Sequence, residues 1–161
     1  MSYRVGQGYD VHRLAAKESL WLGGVLIPHN MGTVAHSDGD VLIHAICDAL
    51  LGAASLGNIG LHFPDKCDEY KNIDSKILLK KTYDMVEKHG FAIVNIDSTI
   101  IAQNPKLNPH IPQMVNTLAG ILGIESGKVS VKATTTEKLG FEGSEEGISA
   151  QAVVLLKKTG G

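Results

Sequence analysis

The amino-acid sequence predicts a single α/β (α+β) domain, built as a mixed four-stranded sheet with helices on one face plus a small β-hairpin. Three observations predict this class: apolar residues recur at helical spacing in three segments, alternating and β-branched runs mark the strands, and, apart from the hairpin, the elements follow the order βααβαββ. A chain of 161 residues, 43% hydrophobic and 20% charged, can bury such a core without disulfides. We therefore treat residues 1–161 as one domain.

The first strand is predicted for residues 3–9, where side chains alternate along the chain. It delivers Asp10 and His12 at its C-terminal end. Side chains two residues apart in an extended chain point to the same side, so these two groups can reach one ion.

A β-hairpin is predicted next. Two short apolar runs, residues 20–22 and 25–27, are separated by Gly23-Gly24, which is the pattern of two strands joined by a two-residue turn. Residues 29–39 follow as a polar, glycine-containing segment and are predicted to be a loop.

The first helix is predicted from about Asp40 to Ala54. Its apolar side chains form one stripe at positions 42, 46, 49, 50 and 53. At 100° per residue, Asp40, His44 and Asp48 fall on the opposite side of the helix, which leaves that side free for chemistry.

The remaining elements follow from the same patterns. A long loop at residues 57–72 is of the kind that is more often functional than idle in a compact domain. After it we predict a helix at 75–89, a strand at 91–103, a turn at 104–109, a helix at 111–122, and strands at 129–135 and 148–156.

Charge and composition exclude some classes of function. Lys plus Arg (15) nearly balance Asp plus Glu (17), for a net charge of −2, whereas a nucleic-acid-binding protein usually carries a basic patch. The sequence has no apolar run long enough for a membrane span and no signal-peptide pattern. Cys47 and Cys67 are interpreted as reduced thiols. We expect a soluble cytoplasmic protein with no nucleic-acid or membrane partner, or a plastid protein if a transit peptide has been removed.

Asp10, His12 and His44 are candidate metal ligands. Three protein ligands with an open fourth position are typical of a catalytic zinc site, and two imidazoles favour zinc or a neighbouring transition metal. Each residue alone also has a structural explanation: Asp10 and His12 suit a polar turn after a strand, and His44 suits a polar helix face.

The segment that leads into the first helix carries a second candidate site. His36 and Ser37 can donate hydrogen bonds to a phosphate, and Asp38 or Asp40 can orient a metal-bound imidazole. The alternative is that Ser37, Asp38 and Asp40 serve as N-cap and first-turn residues.

Two further segments suggest phosphate and nucleotide chemistry. Residues 132–141 place three consecutive threonines beside Lys and Glu at a strand end, a cradle for a diphosphate and Mg²⁺, although Thr134 and Glu137 also match a helix capping box. Residues 102–107 form a strand-to-turn segment whose amides, with Lys106, can read a nucleobase or phosphate. Taken alone, this segment is an ordinary proline-containing turn.

Four motifs together resemble one known family. They are GYDVHR (residues 8–13), AHSDGDVLIHAICDALLGA (35–53), IIAQNPKLNPHIPQM (100–114) and VKATTTEKLGFEG (131–143), in family order and spacing. The chain resembles the 2-C-methyl-D-erythritol 2,4-cyclodiphosphate synthases of the non-mevalonate isoprenoid pathway. The resemblance implies a chorismate-mutase-like subunit, a homotrimer with active sites between subunits, and a cavity on the trimer axis that binds isoprenoid diphosphates in some members.

The resemblance also implies roles for individual residues. Asp10, His12 and His44 match the zinc ligands, and Glu137, with the Thr135 hydroxyl, matches a Mg²⁺ or Mn²⁺ site on the substrate diphosphate. The remaining matches bind substrate: His36, Ser37, Asn58, Ile59, Gly60, Phe63 and Asp65 around the methylerythritol phosphate, and Ala102, Pro105, Lys106, Leu107, Ala133, Thr134, Thr135 and Phe141 around the cytidine diphosphate.

The sequence departs from the family pattern at two positions. Asn58 stands where members commonly have Asp, so the substrate contact there is an amide's, which can accept from a hydroxyl and also donate to a phosphate. Ser144 stands where members often carry an Arg facing the axial cavity, which puts effector binding in question.

The reaction that the resemblance implies is an intramolecular phosphoryl transfer that releases CMP and needs no protein nucleophile. Two alternatives stay open from the residues alone. A zinc-activated water would make the protein a phosphohydrolase, and a chain without turnover would be a trimeric nucleotide- or isoprenoid-diphosphate-binding module.

Overall fold

The structure, a computed structural model, describes residues 2–160 as one mixed β-sheet with helices packed on one of its faces. The strands are β1 (Tyr3–Ala16), β2 (Leu20–Leu22), β3 (Val25–Ile27), β4 (Met31–Val34), β5 (Phe91–Ile101), β6 (Val129–Thr134) and β7 (Gly147–Lys158). The helices are α1 (Val41–Ala53), α2 (Ile59–His62), α3 (Ser75–Lys88), α4 (Ile111–Leu122) and α5 (Gly140–Gly143).

The main sheet has five strands in the order β4-β1-β7-β5-β6, and β2 and β3 form the separate hairpin. Within residues 2–160, β5 and β6 are the one parallel pair of neighbouring strands. The predicted α/β class, the helices on one face and the hairpin are confirmed, but the predicted number of four strands is wrong. The fifth strand, β4, lies in the segment predicted to be a loop. It pairs with the C-terminal end of β1, at residues 13–16.

Strand β1 is also longer than predicted, because it continues through Asp10 and His12 to Ala16. Its even-numbered residues from Gly6 to Leu14 face the helices and are buried or half-buried, whereas the odd-numbered residues from Tyr3 to Arg13 are exposed. Asp10 and His12 therefore lie inside a paired strand, opposite Ala150 and Ile148 of β7, rather than in a turn after it.

Helix α1 packs very closely on β1 because two glycines leave room for it. A Cβ added to Gly8 would lie 1.8 Å from the carbonyl oxygen of Ala45, and one added to Gly6 would lie 1.9 Å from that of Ala49. Since real Cβ atoms do not come so near to backbone oxygens, these positions must be glycine for the helix to sit where it does.

Asp40 is fully buried, which corrects the prediction that it lies on the polar side of the first helix. Its carboxylate accepts hydrogen bonds from the backbone N–H groups of Ile43, Gly23 and Gly24, at 3.0, 3.0 and 2.7 Å. It thus caps α1 and holds the turn of the hairpin at the same time. Burial raises the pKa of Asp40 to about 6.

None of the helices in the described part of the chain combines the length and the apolar character needed to span a bilayer.

Candidate active site

Asp10, His12 and His44 meet at the point where α1 crosses β1. The Oδ2 atom of Asp10 lies 3.0 Å from Nε2 of His12 and 3.1 Å from Nδ1 of His44, and the two ring nitrogens are 3.2 Å apart. In a tetrahedral zinc site, ligand atoms at roughly 2.0–2.1 Å from the ion lie about 3.3 Å from one another. The donor set and its spacing therefore fit a divalent transition metal.

The charges in this cluster are arranged for cation binding. Burial alone would raise the pKa of Asp10, but the hydrogen bonds and positive charge of His12 and His44 outweigh it and lower that pKa to about 2. For His44 the two effects have the opposite sign. Burial would lower its pKa, but the Asp10 carboxylate outweighs burial and raises that pKa. Asp10 is thus ionised at any ordinary pH, and a bound cation takes the place of protons on the rings.

The other ring nitrogen of His44 is held by a hydrogen-bonded chain. Its Nε2 lies 2.9 Å from Oγ of Ser75 and 3.3 Å from Oγ of Ser37. The Ser75 hydroxyl donates to Oδ1 of Asp38, whose Oδ2 accepts from the Ser75 N–H at 2.8 Å. Because the hydroxyl proton is used on Asp38, the Ser75 oxygen accepts a hydrogen bond from the Nε2–H group of His44. The proton of the neutral ring is therefore on Nε2, which leaves Nδ1 free to bind a metal. Of the two predicted orienting carboxylates, Asp38 makes this connection through Ser75.

A cavity of about 310 Å³ opens beside the triad. His36 and Ser37 lie in its wall, and Nε2 of His36 is buried with no hydrogen-bond partner among residues 2–160. An unpartnered buried donor at a cavity wall suits an anionic ligand. The predicted residues that line this cavity are Asp10, His12, His36, Ser37, His44, Ile59, Gly60, Phe63 and Asp65.

Asn58 is not among the lining residues. Its side chain accepts a hydrogen bond from the Leu61 N–H at 3.0 Å, so it acts as the N-cap of α2. The carboxamide is exposed, and its predicted contact with substrate stays a prediction.

A second cavity, of about 490 Å³, lies at the ends of β5 and β6. It collects every predicted cytidine-diphosphate residue except Phe141, namely Ala102, Pro105, Lys106, Leu107, Ala133, Thr134 and Thr135. Parallel pairing of β5 with β6 brings them together, because Ile100 lies opposite Ala133 and Ile101 opposite Thr134. The two cavities have no lining residue in common.

Three further residues singled out from the sequence line neither of these two cavities. Glu137 is exposed, and its N–H donates to the Thr135 hydroxyl at 3.2 Å. Phe141 lines a third hollow with Tyr9 and Val11 on the open face of the sheet, and Ser144 is exposed beside it in sequence.

Sequence reasoning missed four residues of the first cavity: Ala35, Tyr70, Ile73 and Leu78. Tyr70 packs edge-on against Phe63, with ring centroids 5.4 Å apart. Tyr70 lies in the long loop at residues 57–72, whose length indicates a functional role for the segment. Nothing in the sequence distinguishes Leu78 from the other apolar residues of α3.

The fold and the site define a class of protein: an α/β domain whose Asp/His/His cluster is suited to a divalent metal. The cluster lines one cavity, and a second cavity has separate walls. The chain belongs to the YgbB family, whose model matches residues 3–157.

Curated relatives match over nearly their whole length. The 2-C-methyl-D-erythritol 2,4-cyclodiphosphate synthase of Bacteroides fragilis is 59% identical over 98% of this chain and 99% of its own. The synthase of the same name from Parabacteroides distasonis is 58% identical over 99% of each chain.

Solved structures of similarly named proteins share the fold of this chain. The bifunctional IspDF of Campylobacter jejuni superposes with a TM-score of 0.94 at 46% identity, over 98% of this chain and 42% of that longer protein. The IspF of Plasmodium falciparum, solved as a CDP complex, gives a TM-score of 0.87 at 34% identity, over 99% of this chain and 98% of that one. The family resemblance of the four motifs is thereby confirmed.

Proposed function

We propose that the protein is a 2-C-methyl-D-erythritol 2,4-cyclodiphosphate synthase, a phosphorus-oxygen lyase of non-mevalonate isoprenoid biosynthesis. Its substrate is 4-diphosphocytidyl-2-C-methyl-D-erythritol 2-phosphate, and its products are the cyclic diphosphate and CMP. The observation that carries the proposal is the Asp10, His12 and His44 cluster beside a cavity, in a chain 59% identical to synthases of that name.

The reaction is a displacement at phosphorus within one molecule. An oxygen of the 2-phosphate forms a bond to the β-phosphorus, the bond from the β-phosphorus to the oxygen shared with the α-phosphate breaks, and CMP leaves with that oxygen. Holding both ends of the substrate in two cavities suits this chemistry, because well-oriented intramolecular reactions gain on the order of 7–11 kcal/mol. No protein nucleophile is required.

The chain's own residues bind and orient the reacting groups. His36 and Ser37 donate hydrogen bonds to the 2-phosphate, and the Asp38, Ser75 and His44 chain fixes the orientation of the imidazole. When bound, zinc at the triad and Mg²⁺ or Mn²⁺ at Glu137 with the Thr135 hydroxyl would supply positive charge to the diphosphate.

The nucleotide end of the substrate is assigned to the second cavity. Because the two cavities of one chain have separate walls, we propose that a neighbouring subunit supplies the second cavity in a homotrimer. The open face of the sheet supports this assembly, since Tyr3, Val5, Tyr9 and Val11 are 43–69% exposed along one strand.

Phosphorus NMR with added Zn²⁺ and Mg²⁺ tests the proposal. We expect the three substrate phosphorus signals to give way to a cyclic diphosphate and one equivalent of CMP, and His44→Ala to stop this conversion. The matched control is His89→Ala, at an exposed histidine whose Nδ1 lies 2.8 Å from the carbonyl oxygen of Met85 in the preceding helix. Linear phosphate products would instead identify a phosphohydrolase, and unchanged substrate a binding module; either result contradicts the proposal.

A further inference from the structure

Helix α1 is buried on nearly every side, which makes its few accessible positions informative. Ten of its thirteen residues are buried, and the other three are His44, Asp48 and Gly52. They follow at intervals of four and so form one stripe along the helix. His44 belongs to the metal cluster, whereas Asp48, one turn further along, has no part in the chemistry described above.

Among the described residues, the Asp48 side chain makes one hydrogen bond, to residue 59. Its Oδ1 accepts a hydrogen bond of 2.7 Å from the backbone N–H of Ile59. Ile59 is the first residue of α2, and N–H groups in the first turn of a helix have no partner within that helix. Asp48 therefore satisfies an amide that belongs to the wall of the metal cavity, since Ile59 and Gly60 both line it.

The other hydrogen bonds found for residues 57–63 of the described chain stay within residues 56–63. Asn58 caps Leu61 at 3.0 Å, and the ring of His62 lies 2.7 Å from the carbonyl oxygen of Leu56. These bonds fix the shape of residues 56–63. The segment is joined to α1 at its start, where the Leu56 N–H donates to the Leu51 carbonyl oxygen at 2.8 Å. Within residues 57–63 of the described chain, the bond from Ile59 to Asp48 is the one hydrogen bond that reaches α1.

We propose that Asp48 is a positioning residue that ties the cavity wall at residues 57–63 to the helix that carries His44. The wall and the metal ligand are then held at a set separation, and the methylerythritol end of the substrate meets a wall that is ordered before binding. This consequence for substrate rests on the proposed function, whereas the anchor itself does not.

Three variants separate the anchor from the charge. Asp48→Ala removes the acceptor, and Asp48→Asn keeps an acceptor oxygen while removing the charge. Ile59→Pro removes the donor instead: proline suits the first position of a helix, and Asn58 before it already has the extended φ and ψ of −131° and 169° that proline favours.

The readouts are amide hydrogen exchange of residues 60–63 in the free protein, the Kd for Zn²⁺, and kcat and KM. For Asp48→Ala we expect exchange and KM each to rise about tenfold, the effect of losing one hydrogen bond, with kcat within about threefold of wild type. Asp48→Asn should stay within about threefold of wild type in exchange and KM, and its Kd for Zn²⁺ should match that of Asp48→Ala. In the Ile59→Pro background, Asp48→Ala should have no further effect on exchange or KM.

Two results would overturn the proposal. One is that Asp48→Asn and Asp48→Ala raise KM equally while residues 60–63 keep their protection, which would show that the charge matters rather than the anchor. The other is that Asp48→Ala changes neither exchange nor KM. If the wild-type protein forms no cyclic product, the proposed function fails, and the exchange data alone still support or overturn the anchor.

Discussion

At the scale of single residues, the Asp38, Ser75 and His44 chain determines which nitrogen of His44 can bind a metal. Ser75 is fully buried and connects a carboxylate to the imidazole. Neither of its partners is near it in sequence, since Asp38 lies 37 residues and His44 31 residues away. A metal ligand supported in this way depends on its hydrogen-bonding partner for orientation and basicity.

We therefore expect Ser75→Ala to weaken metal binding without unfolding the protein. Loss of such a partner typically costs about 10- to 100-fold in metal affinity. Competition against a chromogenic chelator measures the Kd for Zn²⁺, and Ser126→Ala, at an exposed position, is the control. An unchanged Kd in Ser75→Ala would contradict the role assigned to Ser75.

Metal binding should also depend on pH, because protons compete for His44. Asp10 raises the pKa of His44 above its usual value, while its own pKa of about 2 keeps it ionised. The metal must displace the proton of His44 at any pH below that raised pKa, so the apparent Kd should rise about tenfold for each pH unit lowered below it. Above the raised pKa, this dependence should disappear.

Titration of the Kd between pH 5.5 and 8.5, a range of about three units around the usual pKa of histidine, checks this expectation. In a plot of Kd against pH, the slope should change at the raised pKa of His44. Asp10→Asn provides the comparison, because it removes the charge that raises this pKa. The variant should bind zinc more weakly, and its change of slope should move to lower pH. A change of slope at the same pH in wild type and Asp10→Asn would show that another group causes the pH dependence.

At the scale of secondary structure elements, the metal cluster depends on how closely α1 approaches β1. The strand supplies Asp10 and His12, and the helix supplies His44. Only Gly6 and Gly8 allow the two backbones to come so near. The distance between the candidate metal ligands on the strand and on the helix is thus set by residues outside the triad.

Gly8→Ala should accordingly impair both stability and metal binding. The added Cβ would lie 1.8 Å from the Ala45 carbonyl oxygen, so the helix must shift, and we expect a loss of at least about 3 kcal/mol in the free energy of unfolding. The Kd for Zn²⁺ should rise more than about tenfold, because a small misplacement of His44 breaks the tetrahedral arrangement.

Urea denaturation and chelator competition measure the two effects. Gly120→Ala on α4 is the control, since an added Cβ there meets nothing within 4 Å and should stabilise the helix by up to about 1 kcal/mol. Wild-type zinc affinity in folded Gly8→Ala would refute the link between glycine packing and the metal cluster.

The elements themselves were predictable where they are long and periodic. The three long helices and strands β1, β5, β6 and β7 follow from apolar spacing, and their bounds differ from the predictions mainly at the ends. Strand β4 and helix α2 have four residues each, too few to show a period, and β4 exists because β1 extends far enough to pair with it.

The site was predictable only in part, for the same kind of reason. The triad could be expected because the sequence puts two candidate metal ligands two residues apart on a strand and a third on the polar side of a helix. Helical periodicity places Asp40 on the side opposite the apolar stripe, but it cannot show that the hairpin turn covers this carboxylate. Similarly, Ser75 has no local pattern that connects it to His44.

At the scale of the whole molecule, the exposed apolar side chains of β1 are the strongest indication of assembly. Val5 is 69% exposed and lies on the sheet face opposite the helices. We expect Val5→Glu to convert the proposed trimer to monomers and to abolish turnover while the metal cluster still binds zinc. Light scattering after gel filtration measures the mass, with Ile77→Glu on the helical layer as the control.

If the two cavities of one active site come from different subunits, inactive variants should complement each other. His12→Ala disables the metal cluster and Lys106→Ala disables the second cavity. Trimers reassembled from an equal mixture should regain part of the CMP release, because some interfaces unite two intact halves. A mixture as inactive as its components, with mixed trimers verified by mass, would argue against a shared site.

The alternation along β1 has a consequence for how its sequence can change. Adjacent residues serve different purposes, since Asp10 and His12 face the helices while Tyr9 and Val11 face outward. Inserting or deleting one residue before Tyr9 would exchange the two sets, sending the carboxylate to the outer surface and an aromatic ring under the helix. Substitutions can alter either face independently, but a change in the length of this strand would disable the metal ligands and the outer surface together.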